Sequence, residues 1–203
     1  MLVEPNPLAL SVCAENLIFN SLSHKARFVC AFASSEAGKM VDFFTVGIGA
    51  AGSMFQNHAV TAKNVGSSLQ VPTTSLDSLY FQYGVLPDLV KIDVEGAESL
   101  VLNGAQEIAT QHKTRFFVEM HSPPELPMED NAMKIMEWCE STGYKPWYLK
   151  EKAILEEPRQ IAKRGRCHLL LLPQGTPFPV YLKDLEQGDP LQKVPEVLKA
   201  LTI

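Results

Sequence analysis

Apolar residues in this chain fall into short runs that alternate with segments of helical periodicity. The strand-like runs are Ala26–Ala33, Met40–Val46, Leu89–Asp93, Arg115–Met120, Tyr144–Leu149 and His168–Leu172. Apolar residues at helical spacing predict helices over Leu8–Leu22, Thr73–Tyr80, Glu98–Asn103 and Asn131–Thr142. Because strands and helices alternate, the pattern predicts an α/β fold with a mostly parallel sheet and helices on both faces.

The composition is typical of one globular domain. The chain has 203 residues, of which 46% are hydrophobic and 20% are charged, which allows a substantial core. We expect a single domain over residues 1–203, with a core over about residues 1–175 and a proline-rich tail over about residues 176–203.

Charge and hydropathy exclude some partners. The net charge of −5 argues against nucleic acid, because phosphate binding needs concentrated lysine and arginine. No apolar run reaches membrane-spanning length, and the N-terminus does not have the pattern of a signal peptide. None of the four cysteines is spaced for a metal knuckle or a redox pair. We therefore expect a cytoplasmic protein that does not bind a membrane.

Two acids follow one of the buried strands. Asp93 and Glu95 come where Leu89–Asp93 ends, and ligands of open α/β sheets bind outside the carboxyl ends of the strands. The alternative is that these acids only cap the following helix. Two acids after one buried strand favour a functional role.

An acid and a histidine follow the next strand in the same way. Together with Asp93, Glu119 and His121 support two mechanisms. One is a general base that removes a hydroxyl proton. The other is a divalent cation, held by Asp93 and Glu119, that lowers the pKa of the hydroxyl. The other histidines have no acidic neighbours of this kind, and we expect them to be structural: His24, His58, His112 and His168.

Gly47–Gly52 matches the G-x-G-x-x-G pattern of dinucleotide-binding loops. A phosphate-binding loop should open a long amphipathic helix, whereas the residues that follow Gly52 have a poor helical stripe. The context therefore favours a mobile loop, and an NAD-dependent enzyme is the least favoured alternative.

The segment KIDVEGAE at Lys91–Glu98, with LNGA at Leu102–Ala105, resembles the signature of FkbM-type S-adenosylmethionine-dependent methyltransferases. Further segments resemble the family in the same order: VEPNP at Val3–Pro7, VPTTSLDSL at Val71–Leu79 and FVEMH at Phe117–His121. Together these segments cover roughly the first two thirds of the chain.

This resemblance implies a Rossmann-like fold, S-adenosylmethionine as the cofactor, and methylation of a hydroxyl oxygen. The acceptor would be a sugar, another glycan or a secondary metabolite. Asp93, Glu119 and His121 would lie near the acceptor. The residues implied in cofactor binding are Glu4, Asn6, Ala31, Phe32 and Asp93. Of these, Glu4 would accept hydrogen bonds from the ribose, and Ala31 and Phe32 would lie beside the adenine, with plain core packing as their alternative.

The chain departs from the family at its N-terminus. In the family, a segment like Glu4–Pro7 follows the first strand, a glycine-rich loop and a helix, none of which has a counterpart here. We therefore expect an N-terminally truncated methyltransferase fold with exposed strand edges that binds S-adenosylmethionine weakly or not at all. The alternative to an enzyme is a non-catalytic interaction module or a gene fragment with this fold.

Overall fold

The computed structural model describes residues 1–48 and 52–186. The strands within these ranges are β1 (Leu2–Val3), β2 (Phe28–Val29), β3 (Phe32–Ala33), β4 (Met40–Phe44), β5 (Ser68–Thr74), β6 (Leu89–Ile92), β7 (Arg115–Glu119), β8 (Tyr144–Tyr148), β9 (Ala153–Ile154) and β10 (His168–Pro173). The helices are α1 (Pro7–Phe19), α2 (Val60–Val65), α3 (Leu76–Tyr83), α4 (Glu98–Asn103), α5 (Gln106–Thr110), α6 (Met128–Thr142), α7 (Pro158–Ala162) and α8 (Val180–Lys183).

The described strands form three sheets, with the orders β1-β2, β3-β5-β4 and β6-β7-β10-β8-β9. The parallel pairs are β1 with β2, β3 with β5, and β6 with β7, whereas the other pairs are antiparallel. The fold is therefore mixed α/β, and the expectation of a mostly parallel sheet is not confirmed. The reason is that β10 runs back between β7 and β8, and a strand buried on both faces has the same apolar pattern in either direction.

The main core lies on one face of the five-stranded sheet. Leu169 and Leu171 of β10 face this side with Phe116 of β7, and they pack against helices α4, α5 and α6. The intervening residues Leu170 and Leu172 point to the other face, as strand geometry requires, where they pack with Phe178 in the segment before α8. Both faces of this sheet are therefore covered.

The N-terminal part of the chain differs in detail from the predicted elements. The predicted strand Ala26–Ala33 is two short strands in different sheets, since β2 pairs with β1 whereas β3 pairs with β5. Strand β5 was not predicted, because its residues are mostly polar and include Pro72, which cannot donate a ladder hydrogen bond. The predicted helix Thr73–Tyr80 begins later, at Leu76, where Ser75 forms a capping box with Ser78.

Helix α1 begins as expected but packs weakly. The Asn6 side chain accepts hydrogen bonds from the backbone N–H groups of Leu8 and Ala9, and Pro7 occupies the first turn. None of the helix residues is buried, and Phe19 is 85% exposed. Apolar periodicity therefore predicted the helix correctly, but the described residues provide no buried partner for its apolar face.

Strands β1 and β6 each pair on one side only within the described ranges. The free edge of β1 and the free edge of β6 belong to different sheets. None of the helices in these ranges has the length and apolar composition needed to cross a membrane.

Candidate active site

A cavity of about 240 Å³ opens where β1, β3 and β6 end. Its wall includes Glu4 and Asn6 after β1, Phe32 in β3, and Asp93 and Glu95 after β6. This is the edge at which α/β folds bind their ligands. The fold therefore brings together residues that are far apart in the sequence and that the sequence analysis selected separately.

The acid at the end of β1 faces the cavity with one oxygen already held. Glu4 Oε1 accepts a hydrogen bond from the Asn6 backbone N–H at 2.8 Å. Burial raises the pKa of Glu4, and this hydrogen bond opposes the rise. A half-buried carboxylate with one oxygen fixed in this way can accept a hydrogen bond from a ligand hydroxyl.

Asn6 lines the cavity, but its polar atoms bind the protein. Besides capping α1, its Nδ2 donates to Thr45 Oγ1 at 3.2 Å and to the Gly47 carbonyl oxygen at 2.6 Å. It therefore fastens the loop after β4 to the start of α1. Two other residues implied in cofactor binding are both buried: Phe32 lines the cavity and lies 6.1 Å from the ring of Phe43, whereas Ala31 is not among the lining residues in the described ranges.

The Gly47–Gly52 segment borders the same cavity through Ile48 and Gly52. Gly49, Ala50 and Ala51 lie outside the described residues. The predicted loop beyond this segment contains the short helix α2, which the sequence did not indicate.

A tight turn holds the two acids after β6. Glu95 has a φ of 50°, which is uncommon for a residue with a side chain, and its carbonyl oxygen accepts a hydrogen bond from Ser53 Oγ at 3.0 Å. Gly96 follows with a φ of 105°, and a Cβ there would lie 2.5 Å from Pro123 Cδ. Only glycine fits that position, because both the backbone angle and the close approach exclude a side chain.

Glu98 is fully buried and fixes His121. Its Oε1 lies 2.8 Å from His121 Nδ1 and accepts a hydrogen bond from the Gly96 N–H at 3.0 Å. Its Oε2 accepts a hydrogen bond from Asn131 Nδ2 at 2.9 Å, and the same Nδ2 donates to the His121 carbonyl oxygen. A carboxylate only accepts, so the 2.8 Å contact is best satisfied by a donating Nδ1–H on His121.

The other imidazole nitrogen of His121 points at acids. His121 is 4% exposed, and its buried Nε2 has no hydrogen-bond partner within residues 1–48 and 52–186. The closest carboxylate oxygens are Glu95 Oε2 at 3.5 Å, Glu119 Oε1 at 3.8 Å and Asp93 Oδ1 at 3.9 Å. Burial lowers the pKa of His121, but the hydrogen bond to Glu98 and the charges of Glu95 and Glu98 outweigh burial, so its pKa is raised.

Asp93, Glu95 and His121 form a compact set of candidate metal ligands. One ligand atom from each lies within 4.8 Å of the others. His58 adjoins this set, because its Nε2 lies 2.8 Å from Glu95 Oε2, and its ring lies 6.2 Å from the ring of His121. Lys91 Nζ donates to the outer oxygen of Asp93 at 2.8 Å.

Glu119 lies at the rim of this cluster and binds other groups. Its Oε1 accepts hydrogen bonds from Arg166, with Nε at 2.7 Å, and its Oε2 lies 3.3 Å from His168 Nε2. Burial raises the pKa of Glu119. The hydrogen bond and charge of Arg166 lower this pKa, with smaller effects of His168 and His121, and together they hold it below its ordinary value. The predicted cation site paired Asp93 with Glu119. Asp93 lies in the compact set, whereas Glu119 does not, and Glu95 lies closer to His121 than Glu119 does.

A second cavity, of about 1040 Å³, lies next to the two residues that pair with Glu119. Arg166 and His168, the partners of Glu119, line it together with Arg164, Phe117 and Tyr148. The Arg164 guanidinium lies 4.6 Å from the centre of the Tyr148 ring. Cationic and aromatic side chains therefore form part of the wall of this cavity, beside apolar residues such as Leu149 and Leu182.

Three residues that build the cluster were not predicted from the sequence. His58 was expected to be structural, and no local signal marks its contact with Glu95. Glu98 was noted only as the start of a helix, although its place in KIDVEGAE, three residues after Glu95, was a signal. Asn131 was noted only as a position in α6, since an amide within a helix does not indicate a buried network.

Comparisons with known proteins give one family match and one structural match. The family model of the methyltransferase FkbM domain matches residues 2–146. The crystal structure of methyltransferase FkbM from Methylobacillus flagellatus KT is similar in fold, with a TM-score of 0.51 and 13% sequence identity. The similarity covers 83% of this chain and 35% of that chain, so this chain spans about a third of that protein's length. Comparison with curated proteins gives no match.

At 13% identity, the structural similarity shows the fold alone. The family follows from the sequence, because the matched residues make up well over half of the chain and include the strand ends that carry Glu4, Asp93, Glu95 and His121. This chain belongs to the FkbM methyltransferase family.

Proposed function

We propose that this chain binds S-adenosylmethionine in the cavity at the ends of β1, β3 and β6, and that it methylates a hydroxyl oxygen of a sugar or secondary metabolite. The observation that carries the proposal is the cavity itself. It joins Glu4, on the side where the family resemblance implies ribose binding, to Asp93, on the side where it implies the acceptor.

The residues present fit the adenosine part of the cofactor. Glu4 offers a half-buried carboxylate to the ribose hydroxyls, and its position is set by the Asn6 N–H. Phe32 offers an apolar wall at the end of β3. Bound there, the cofactor would supply a methyl group on a sulfonium sulfur; an oxygen nucleophile would bond to the methyl carbon in line with the C–S bond, which would break to release S-adenosylhomocysteine.

The acid–histidine cluster is the group that prepares the acceptor oxygen. Both mechanisms that the sequence left open would act on the hydroxyl from this cluster: His121 as a general base, or a divalent cation held by Asp93 and Glu119. The larger cavity is lined by Arg166 and His168, which both pair with Glu119, and its arginine and aromatic side chains suit a polar acceptor such as a sugar. Since the reaction is a displacement, positioning supplies most of the rate enhancement.

Calorimetric titration of the chain with S-adenosylmethionine and S-adenosylhomocysteine, in buffer containing a chelator, tests the proposal. We expect saturable binding that is weaker than a Kd of about 1 μM, which would correspond to about −8 kcal/mol. Glu4→Gln should weaken it by about 1–3 kcal/mol, because a charge-assisted hydrogen bond to the ribose is lost. Asp93→Asn should change cofactor affinity less than Glu4→Gln does, but it should abolish transfer of a labelled methyl group to hydroxyl acceptors.

Glu15→Gln, in the exposed part of α1, is the matched control for the loss of one carboxylate. It should bind both ligands as the unaltered chain does. Equal affinity of the Glu4→Gln and Glu15→Gln variants would remove Glu4 from the cofactor site. No binding at millimolar ligand would refute the proposal for this chain.

A non-catalytic interaction module is the second candidate. It is favoured by two observations together: the edges of β1 and β6 that have no partner strand in the described part of the chain, and the exposed apolar face of α1. In that case neither S-adenosylmethionine nor S-adenosylhomocysteine should protect the chain against thermal unfolding.

A further inference from the structure

We propose that Asp93, Glu95 and His121 bind one divalent transition-metal ion, of the Mn²⁺ or Zn²⁺ type, through Asp93 Oδ1, Glu95 Oε2 and His121 Nε2. The site is the cluster that the proposed function places beside the acceptor, but metal binding does not depend on methyl transfer.

One imidazole nitrogen of His121, the buried Nε2, has no hydrogen-bond partner among the described residues. It faces Glu95 Oε2 at 3.5 Å and Asp93 Oδ1 at 3.9 Å, whereas the third nearby oxygen, Glu119 Oε1 at 3.8 Å, is already bound by Arg166. Leaving a buried polar atom unsatisfied costs about 1–3 kcal/mol, so such an atom calls for an explanation. A metal ion between this nitrogen and the two oxygens supplies the missing partner.

The imidazole of His121 is already oriented for metal binding. The contact between His121 Nδ1 and Glu98 Oε1 is the arrangement that histidine ligands of metal ions use: one ring nitrogen donates to a carboxylate while the other binds the ion. Asn131 and the Gly96 N–H hold Glu98 in turn. The ring is therefore fixed before any ion arrives, which lowers the entropy lost on binding.

The ligand atoms are spaced nearly as they would be around a bound ion. Zn–N and Zn–O bonds are about 2.0–2.2 Å long, so ligand atoms around a tetrahedral ion are about 3.4 Å apart. The two distances from His121 Nε2, 3.5 and 3.9 Å, are within a few tenths of an ångström of that value. The side chains need only small rotations to close around an ion.

The side chains of the cluster carry an excess of negative charge. Four carboxylates surround His121, on Asp93, Glu95, Glu98 and Glu119. Within the described residues, the lysine and arginine side chains at ion-pair distance from these carboxylates are Lys91 and Arg166. When the imidazoles are neutral, as metal binding requires, the four carboxylates exceed the two cationic side chains by about two negative charges. A divalent cation balances this excess.

The ligand set indicates which ions fit. Carboxylates alone suit Mg²⁺ and Ca²⁺, whereas an imidazole nitrogen favours Zn²⁺ and its first-row neighbours. Three protein ligands leave at least one coordination position open. Because Asp93 is 40% exposed at the cavity wall, that position is accessible to an exogenous hydroxyl.

Titration of the chelator-treated full chain with MnCl₂, followed by electron paramagnetic resonance of free Mn²⁺, tests the site without any cofactor or acceptor. We expect one saturable site. Asp93→Asn, at a partly exposed position that leaves the fold intact, should weaken binding at least tenfold, as should Glu95→Gln. Glu98→Gln should weaken it about tenfold through the orientation of His121. Calorimetry with ZnCl₂ should show the same order of variants.

Glu125→Gln is the matched control, because this exposed carboxylate binds Asn57 close to the cluster but outside the ligand set. Its Mn²⁺ affinity should equal that of the unaltered chain. Absence of saturable binding below 1 mM, or equal loss in the Glu125→Gln and Asp93→Asn variants, would overturn the proposal. Since the cofactor titration is done with chelator present, its failure would leave this result intact.

Discussion

Replacement of Glu98 measures how strongly the buried network holds the candidate site in place. The Glu98 carboxylate is fully buried and is the acceptor for the His121 Nδ1–H, the Gly96 N–H and the Asn131 amide. Glu98→Ala removes all of these acceptor contacts together. Because Asn131 also donates to the His121 carbonyl oxygen, two donors lose their acceptor entirely.

The expected magnitude follows from these contacts. Each buried donor left unsatisfied costs about 1–3 kcal/mol, so Glu98→Ala should lower the free energy of unfolding by about 2–6 kcal/mol. That is a large part of the total of about 5–15 kcal/mol that holds a domain folded. Glu98→Gln keeps the volume and one acceptor oxygen, which can serve His121 and Gly96. Its amide group then opposes the Asn131 amide, so we expect a loss of about 1–2 kcal/mol.

Urea unfolding, monitored by circular dichroism and by the fluorescence of the core residue Trp138, measures these losses. The control is Glu137→Gln, which alters an exposed carboxylate on α6 and should change the free energy of unfolding by less than about 0.5 kcal/mol. If Glu98→Ala were as stable as this control, the three donors would have other acceptors and the reasoning about the network would be wrong.

Three further perturbations test the core. Burial raises the pKa of the Cys139 thiol from 9.0 to about 12, so Ellman's reagent should label exposed Cys30 in the native protein and Cys139 only after unfolding. Because the unfolded thiol ionises first, the contribution of Cys139 to stability should be complete below about pH 9 and fall between pH 9 and 12; unchanged urea midpoints there would contradict this. Gly104→Ala would place a Cβ 2.2 Å from the Ser34 carbonyl oxygen and should cost about 1–3 kcal/mol in urea unfolding, whereas a neutral effect would mean that the loop yields. Tyr144→Phe removes a hydroxyl that lies 2.6 and 3.1 Å from two carbonyl oxygens and should lower stability by about 1–2 kcal/mol by the same assay; an unchanged midpoint would show that the bonds add nothing.

Strongly periodic elements were predictable from the sequence because their burial is decided locally. Helix α6 and the strands β7 and β10 lie within a few residues of their predicted positions, since each has a long apolar stripe or run. Strand β5 was missed because its pairing with β3 and β4, rather than its own composition, makes it a strand. Intrinsic strand propensity therefore predicts little where pairing with neighbouring strands decides whether a segment becomes a strand.

The sequence by itself determined the family, the acids after β6 and the histidine after β7, because the signature residues around Asp93 are contiguous. Only the tertiary structure decided the direction of β10, which depends on where a long connection returns. Only it brought Glu95, Glu98 and His58 to His121, from positions 23 to 63 residues away along the chain. Burial and hydrogen bonding between distant elements set those contacts, and no local pattern of apolar and polar residues records them.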